Sequence, residues 1–522
     1  MSHTKLVHSF IGDSAELFST KHALYTQGKW HTYGDLNNKA NQLANLLIKR
    51  GLQKGDRVAL LLENSMEYVA SYYAILKAGG ITVALNTENT ADDIAYIVQD
   101  CGVRYIATNP RLLTKIMSIL PKQVAETRER PEFSPEMVYV WSDAGLPGPL
   151  DIRKDILLLP SAMMDELATP PEARLIDLDI ASIVYTSGST GKPRGAVLSH
   201  LNIVANTRSI ADYLGLCPAD RIMAVLPFYY IYGKSLLNTH FFAGGSVVID
   251  NRFLYPNVIL QTMKEQEVTG FAGVPSTFTI LLSRSNLRSQ AFPKLRYVTQ
   301  AGGAMAPAVQ KEIAEAFAPA KLFIMYGATE ASARLSYLDP AELPGKWGSI
   351  GKAIPNVDLF CADEGGRPLA ANQEGEIVAR GSNIMSGYWN HPEETEKVLK
   401  NGLYYTGDIG RTDEEGFIFV VGRTKDMIKI GGNRVSAKEI EEAIHEHPAI
   451  IEVAVVGIQD EVLGEAPRAF VVVKEGYQGK IKEELVEFLK ERLAFYKIPK
   501  SFEIRDSLPK NESGKIQKLK LG

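Results

Sequence analysis

Apolar and polar positions along this chain fall into two alternating periods. In "TYGDLNNKANQLANLLIKRGLQKGDRVALLL", Ala40, Leu43, Ala44 and Leu47 keep helical spacing, Gly51 stands where a helix C-terminus belongs, and "RVALLL" reads as a buried strand. "SMEYVASYYAILKAGGITVAL" repeats the grammar of helix, double glycine and strand. It resumes in "LSHLNIVANTRSIADYLGL", "DRIMAVLPF", "GGSVVI" and "VTGFAGVP". Such alternation predicts βαβ units and parallel sheets. From 121 to 175 the pattern weakens, and the polar, Pro-bearing "AETRERPEFSPE" and "ATPPEARLID" read as surface excursions.

Near residue 423 the character changes. "GRTKDMIKIGGNRVSAKEIEEAIHEHP" opens a compact unit in which Ser436 and Glu439 fit a capping box ahead of Ile440, Ala443 and Ile444. Strands "IIEVAVVGI" and "PRAFVVVKEG" and the helix "IKEELVEFLKERL" follow. This predicts a division into 1–423 and a small α+β unit, 424–522, of ordinary domain size.

Composition narrows the setting. The chain has 522 residues, 45% hydrophobic and 23% charged, with a formal net charge of -4. That balance is ordinary for a globular protein and carries no global signature of nucleic-acid binding. Cys101, Cys217 and Cys361 lie far apart and form no metal-binding or disulfide pattern, which points to a reducing cytoplasm. No run approaches the ~18 apolar residues of a membrane span, and the N-terminus lacks the apolar stretch of a signal peptide.

One stretch invites a ligand. "YTSGSTGKPRG" follows the apolar "IASIV" and supplies Gly188, Gly191 and Gly195, the hydroxyls of Thr186, Ser187, Ser189 and Thr190, and the cations Lys192 and Arg194. Glycine lets backbone amides approach a phosphate, and hydroxyls and cations suit a polyphosphate. The spacing is shorter than that of a P-loop, and Pro193 stands where a magnesium-binding Ser or Thr would follow the lysine, which disfavours a P-loop kinase. Taken alone, the stretch fits a solvated Gly/Ser turn as well as a phosphate loop.

The same loop resembles the signature of the adenylate-forming superfamily, which includes acyl-CoA synthetases, adenylation domains of peptide synthetases and beetle luciferases. "LKAGGITVALN", "YGATE", "GEIVARG", "YTGDIG", "GRTKDMIKIGGNRV" and "PKNESGKI" resemble further family motifs in the family's order. The resemblance implies an α/β fold: a large N-terminal domain of stacked sheets and helices with several subdomains, and a small mobile α+β C-terminal domain. It implies ATP and Mg²⁺ as cofactors. Thr186, Ser187, Gly188, Ser189, Thr190, Gly191 and Lys192 would cradle phosphates, with Gly302, Gly303 and Gly327 nearby in the nucleotide site. Tyr326 would cover the adenine, Thr329 would touch phosphate, and Glu330 would hold the metal, as a hard cation prefers oxygen. Asp408 would accept the ribose hydroxyls. Arg423 would reach ribose or adenylate, its plain alternative being a pair with acids of the small domain. Lys515 would be the catalytic lysine of the first step, beside Thr186 and Glu330, with Lys425 at the hinge and Gly431 and Gly432 lining the thiol channel.

The implied reaction has two halves. A carboxylate attacks the α-phosphate of ATP to give acyl-AMP and pyrophosphate, and the thiol of CoA or of a separate carrier protein's phosphopantetheine then takes the acyl group. Tyr230, Ile231, Tyr232, Ser235, Thr299, Ala301, Gly302 and Met325 would line the acyl pocket. Ile231 stands where amino-acid-activating relatives place an Asp, and isoleucine cannot pair with an ammonium, so the acid is expected to lack an α-amine. Arg334 is expected to make a structural ion pair or, alternatively, to bind a second carboxylate; Lys234 is open in the same way. Rival readings are an amino-acid adenylation enzyme, a luciferase-like oxygenase and a non-catalytic nucleotide-binding protein.

Overall fold

The computed structural model describes residues 6–120, 135–142, 155–186, 192–423, 426–430, 433–460, 463–477, 479–510 and 516–521. They form two compact units, one of Met1–Ala272, Gly327–Arg334 and Gly381–Glu396, the other of Gly273–Tyr326, Leu335–Arg380 and Lys397–Gly522. Among the described residues no helix is long and apolar enough to cross a membrane.

In the first unit, the strands Arg57–Leu61, Ile81–Ala84, Tyr105–Thr108, Met137–Val140 and Ile156–Leu158 run parallel, as the helix–strand alternation predicts. The last two strands lie inside the stretch whose pattern is weak; they are short and sit toward the sheet's edge. Ile180–Thr186 joins parallel to Ile81–Ala84, then turns back antiparallel into Arg194–Ser199. Helices Tyr33–Lys49 and Met66–Lys77 begin at Thr32 and Ser65, whose hydroxyls accept the Asp35 and Tyr68 amides. The expected helical stripe is the buried one: Ala40, Leu43, Ala44 and Leu47 are no more than 2% exposed.

A second parallel set in this unit contains His22–Thr26, Ser246–Ile249 and Arg221–Ala224, to which Gly270 and Phe271 add in parallel. Arg221–Ala224 leads through Leu226 and Pro227 into the helix Ile231–Phe242. In parallel sheets ligands gather beyond the C-terminal strand ends, and that is where this helix begins.

In the second unit, Tyr297–Gln300 and Lys321–Tyr326 are parallel, and Ser336–Leu338 turns back on the latter. Ser349–Ala353, Ile418–Arg423, Leu403–Thr412 and Glu374–Gly381 extend the ladder antiparallel. The described residues between 427 and 521 build a separate sheet around Gly464–Val473, with Ile450–Asp460 and Met427–Ile430 antiparallel and Ser501–Ile504 parallel to it. Helices Ala437–His445 and Ile481–Lys490 close over it through Ile440, Ile444, Leu485 and Leu489. Ser436 caps the first of these by accepting the Lys438 and Glu439 amides, but the Glu439 carboxylate goes to Lys497 at 2.6 Å, so the expected box is half made. A lysine within reach offers the carboxylate a charge-assisted bond in place of a neutral amide donor.

Candidate active site

The strands Ile180–Thr186 and Arg194–Ser199, between which the glycine-rich stretch falls in sequence, pair antiparallel, with Thr186 and Arg194 as register partners next to it. Ser187, Gly188, Ser189, Thr190 and Gly191 lie outside the described residues, as do Lys425, Gly431, Gly432 and Lys515. Lys192 is exposed, with its ammonium 5.5 Å from the centre of the Tyr96 ring.

Beside the hairpin the short strand Gly387–Tyr388 pairs with Arg194–Ser199, setting Tyr388 opposite Ala196. From there the Tyr388 hydroxyl donates to Glu330 Oε1 at 2.7 Å, and the Arg194 guanidinium lies 5.7 Å from the Tyr388 ring while pairing with Glu394 at 2.6 Å. Burial and the neighbouring Glu330 carboxylate push the Tyr388 phenol up, so it stays a donor. Glu330 itself sits in the one-turn helix Thr329–Ala331, whose approach is tight: a Cβ on Gly327 would fall 1.9 Å from the Ala333 carbonyl oxygen. Met385 N–H donates to the Glu330 carbonyl at 2.8 Å. Tyr388 was not legible as a site residue, because a two-residue strand joined to a distant hairpin leaves no periodic signal.

Glu330 fits magnesium in kind: a carboxylate with one oxygen on a phenol keeps acceptor capacity for a hard cation. Among the described residues no group of three His, Cys, Asp or Glu side chains gathers into a metal cage. A single protein carboxylate suits an ion carried largely by phosphate oxygens and water.

The residues of this unit expected to line an acyl pocket gather at the start of the helix Ile231–Phe242. Tyr230 is its N-cap, with its carbonyl taking the Lys234 amide, and Ile231 is its first residue. Tyr232 is buried, and the Arg334 guanidinium lies 4.1 Å from its ring centre. Arg334 arrives on a turn with positive φ at two non-glycine residues, Ser332 (55°) and Ala333 (116°). Non-glycine residues at such angles are uncommon and gather at functional sites. The turn is held by Asn206, which accepts the Arg334 amide and donates to its carbonyl, and by Asn383, which donates to the same carbonyl at 2.8 Å. Ser235 donates to the Tyr232 carbonyl. Lys234 is 0% exposed; its ammonium is 3.3 Å from Ser182 Oγ and 5.4 Å from the Tyr72 ring, and burial holds it down to about 7.

The second unit holds the remaining residues. Thr299 and Met325 lie buried on the parallel strands Tyr297–Gln300 and Lys321–Tyr326. Ala301, Gly302 and Gly303 follow the first of these; Gly302 has φ +86°, and Gln300 Nε2 donates to the Gly303 carbonyl at 2.9 Å. At the end of the second strand the Tyr326 hydroxyl donates to Asp408 Oδ2 at 2.6 Å, and Arg423 Nε donates to Oδ1 at 2.7 Å. Burial first, then Asp408, holds the Tyr326 phenol far above its usual range, while Asp408 raises Arg423. The acid that Arg423 bonds is thus Asp408, its register partner on the adjoining strand, with Asp426 of the 424–522 segment adding a further negative charge nearby. Each Asp408 oxygen keeps a further lone pair, so the pair can still accept a diol.

The AMP-binding enzyme family model matches residues 12–389, and the model of the AMP-binding enzyme C-terminal domain matches 439–515. A long-chain-fatty-acid–CoA ligase of Bacillus subtilis (strain 168) is 35% identical over 99% of this chain and 94% of its own. The structure of the anthranilate CoA ligase AuaEII in complex with anthranoyl-AMP superposes with a TM-score of 0.88 at 27% identity, covering 99% of this chain and 96% of that one. The o-succinylbenzoate coenzyme A synthetase of Bacillus subtilis, in complex with ATP and magnesium ion, gives 0.81 at 28% identity over 97% and 98%. The chain therefore belongs to the AMP-binding enzyme family, the adenylate-forming superfamily, and is an ATP-dependent ligase that activates a carboxylic acid as its acyl-adenylate and passes it to a thiol.

Proposed function

We propose that the acid is one without an α-ammonium group and that the thiol acceptor is CoA. One observation carries the first half: at the head of the helix Ile231–Phe242 the acyl wall presents Ile231 and, on Tyr232, the Arg334 guanidinium. An ammonium placed there would find a hydrocarbon and a like charge, and burying an unpaired charge is costly. A fatty, branched or aryl acid, or one with a further anionic or polar substituent, suits the same wall. The relatives named as CoA ligases support free CoA over a carrier protein as acceptor.

In the first half-reaction the chain's work is positioning and charge. Asp408, steadied by Tyr326 and Arg423, holds the ribose. Glu330, oriented by Tyr388, holds magnesium, which when bound offsets triphosphate charge. The sequence from Thr186 to Lys192 supplies amides, hydroxyls and an ammonium suited to the phosphates. Lys515 brings a cation between two anions, the carboxylate and the α-phosphate. We assign residues 1–423 to the nucleotide and acyl site and 424–522 to a mobile domain hinged at Lys425, which exchanges Lys515 for the Gly431–Gly432 turn between halves. The free thiols of Cys101, Cys217 and Cys361 support a cytoplasmic setting.

The test is pyrophosphate release across fatty, aryl, hydroxy and amino acids, followed by thioester formation with CoA on the hits. Fatty or aryl acids are expected to lead, with CoA consumed; a preferred α-amino acid, or a hit that acylates only a carrier protein, overturns the assignment.

A further inference from the structure

The first unit has a second concave site, at the end of its parallel strands opposite the acyl helix. His22–Thr26, Arg221–Ala224 and Ser246–Ile249 run in the same direction, so their first residues lie along one edge of the sheet. There an open cavity of about 330 Å³ is lined by Lys21, His22, Arg221 and Ser246, with Thr20, Pro218 and Ala219. The strand that starts at Arg221 in this cavity ends at Ala224 and then leads to Tyr230–Tyr232 of the acyl wall. The cavity is therefore separated from the acyl residues by the length of a strand.

Its chemistry is cationic. The Lys21 ammonium is half-buried and donates to Ser246 Oγ at 3.1 Å, and that hydroxyl donates on to the His22 carbonyl. The Arg221 guanidinium lies 4.9 Å from the Trp30 ring centre and bonds the Gln266 carbonyl through Nη1. Among the described residues neither cation forms an ion pair. Two acids belong to the same neighbourhood: Asp220 accepts the Cys217 amide and the Thr269 hydroxyl, and Glu267 is felt by Arg221 without an ion pair to it. Burial, with Arg221 next, holds Lys21 down to about 8, the mark of two like charges sharing a poorly solvated place. His22 stacks on Trp30 at 5.0 Å and 7°, which stiffens the wall beneath Arg221.

We propose that this cavity is a second anion site, taking a phosphoryl group between Lys21 and Arg221. A forked guanidinium and a point ammonium, backed by a serine hydroxyl, make the donor set for such an anion. The volume admits a small phosphorylated molecule and is at the low end for larger ligands. The phosphoryl group could belong to free phosphate or to a phosphate monoester, and the two are distinguished below.

Calorimetric titration of the full chain with inorganic phosphate and, separately, with glycerol 3-phosphate, at constant ionic strength, tests the proposal. Saturable binding is expected for the native chain, weakened by roughly tenfold or more in Lys21→Met/Arg221→Met. That variant should keep acid-dependent pyrophosphate release, which shows that it is folded. Tighter binding of the monoester assigns the site to a phosphorylated metabolite, and equal or tighter binding of phosphate assigns it to the free ion. If the double variant does not fold, Lys21→Gln alone is expected to weaken binding severalfold, with Lys21→Arg restoring it. Absence of saturable binding in the native chain, or equal binding by folded variants, overturns the site.

Discussion

Arg423 reaches Asp408 across a β-ladder: the two are register partners on Leu403–Thr412 and Ile418–Arg423, with Nε 2.7 Å from Oδ1. Tyr326 takes the other carboxylate oxygen. Asp408 is 7% exposed, whereas the Arg423 side chain keeps 48% of its surface. Replacing Asp408 by Asn removes the charge while keeping the shape, and leaves Arg423 and Tyr326 competing for one acceptor. The expected cost in stability is ~1–2 kcal/mol, below that of a fully buried pair because water still reaches the guanidinium. The larger effect belongs to ATP: its KM should rise by about tenfold or more, as expected from losing charge-assisted bonds to the ribose. An unchanged KM for ATP in pyrophosphate-release assays removes Asp408 from the nucleotide site.

Glu330 and Tyr388 make the next prediction. Glu330→Gln deletes a metal-binding charge, whereas Tyr388→Phe deletes only the bond that orients it. The magnesium concentration for half-maximal activity should rise in both, by roughly tenfold in the first and severalfold in the second, with KM for the acid nearly constant. A metal titration of each variant checks the order. If Tyr388→Phe lowers activity at every magnesium concentration alike, Tyr388 is a packing residue and not a positioning one.

The contrast between these pairs also measures what could be read in advance. Local signals were legible: the buried stripe of Ala40 to Leu47 and the cap at Ser436 follow from periodicity and hydrogen-bonding chemistry confined to a few residues. The motif singles out Asp408 as a candidate, yet its pairing with Arg423 was not legible, because register between strands is set by the whole sheet. Tyr388 and Asn206 left no trace, since each acts through a contact more than fifty residues away in the chain. The turn at Ser332–Ala333 was hidden for another reason: nothing in "EASAR" announces positive φ, which tertiary contacts impose on ordinary residues.

The role of Lys515 rests on the motif "PKNESGKI", so its test must separate the half-reactions. Lys515→Ala should lower acyl-adenylate formation by about a thousandfold, the scale for removing one preorganised charge from a developing transition state. Attack of CoA on supplied acyl-AMP should remain within severalfold of native. Single-turnover measurements of each half decide the matter. Equal loss in both halves would mean that the lysine serves folding or domain movement and not the first chemical step.

Lys234 offers a prediction in pH. It is fully buried, its bonded neighbour is a serine hydroxyl, and burial holds its ammonium down to about 7 from 10.5. Between those values the unfolded chain binds a proton that the folded chain does not, so this residue makes stability rise with pH across that window. Below about 7 both states are protonated and the penalty for burying the charge is complete. Lys234→Met keeps the length of the side chain and removes the titration. The variant should therefore be more stable than the native chain near neutrality, and the advantage should shrink by up to about 1.4 kcal/mol per pH unit as the solution is made alkaline. Urea denaturation of both proteins from about pH 7 to about pH 9 reads the difference directly, because other groups that titrate alike in the two chains cancel. A difference that stays constant over that range would mean that the ammonium keeps its charge in the folded chain, compensated by a partner that burial alone does not supply.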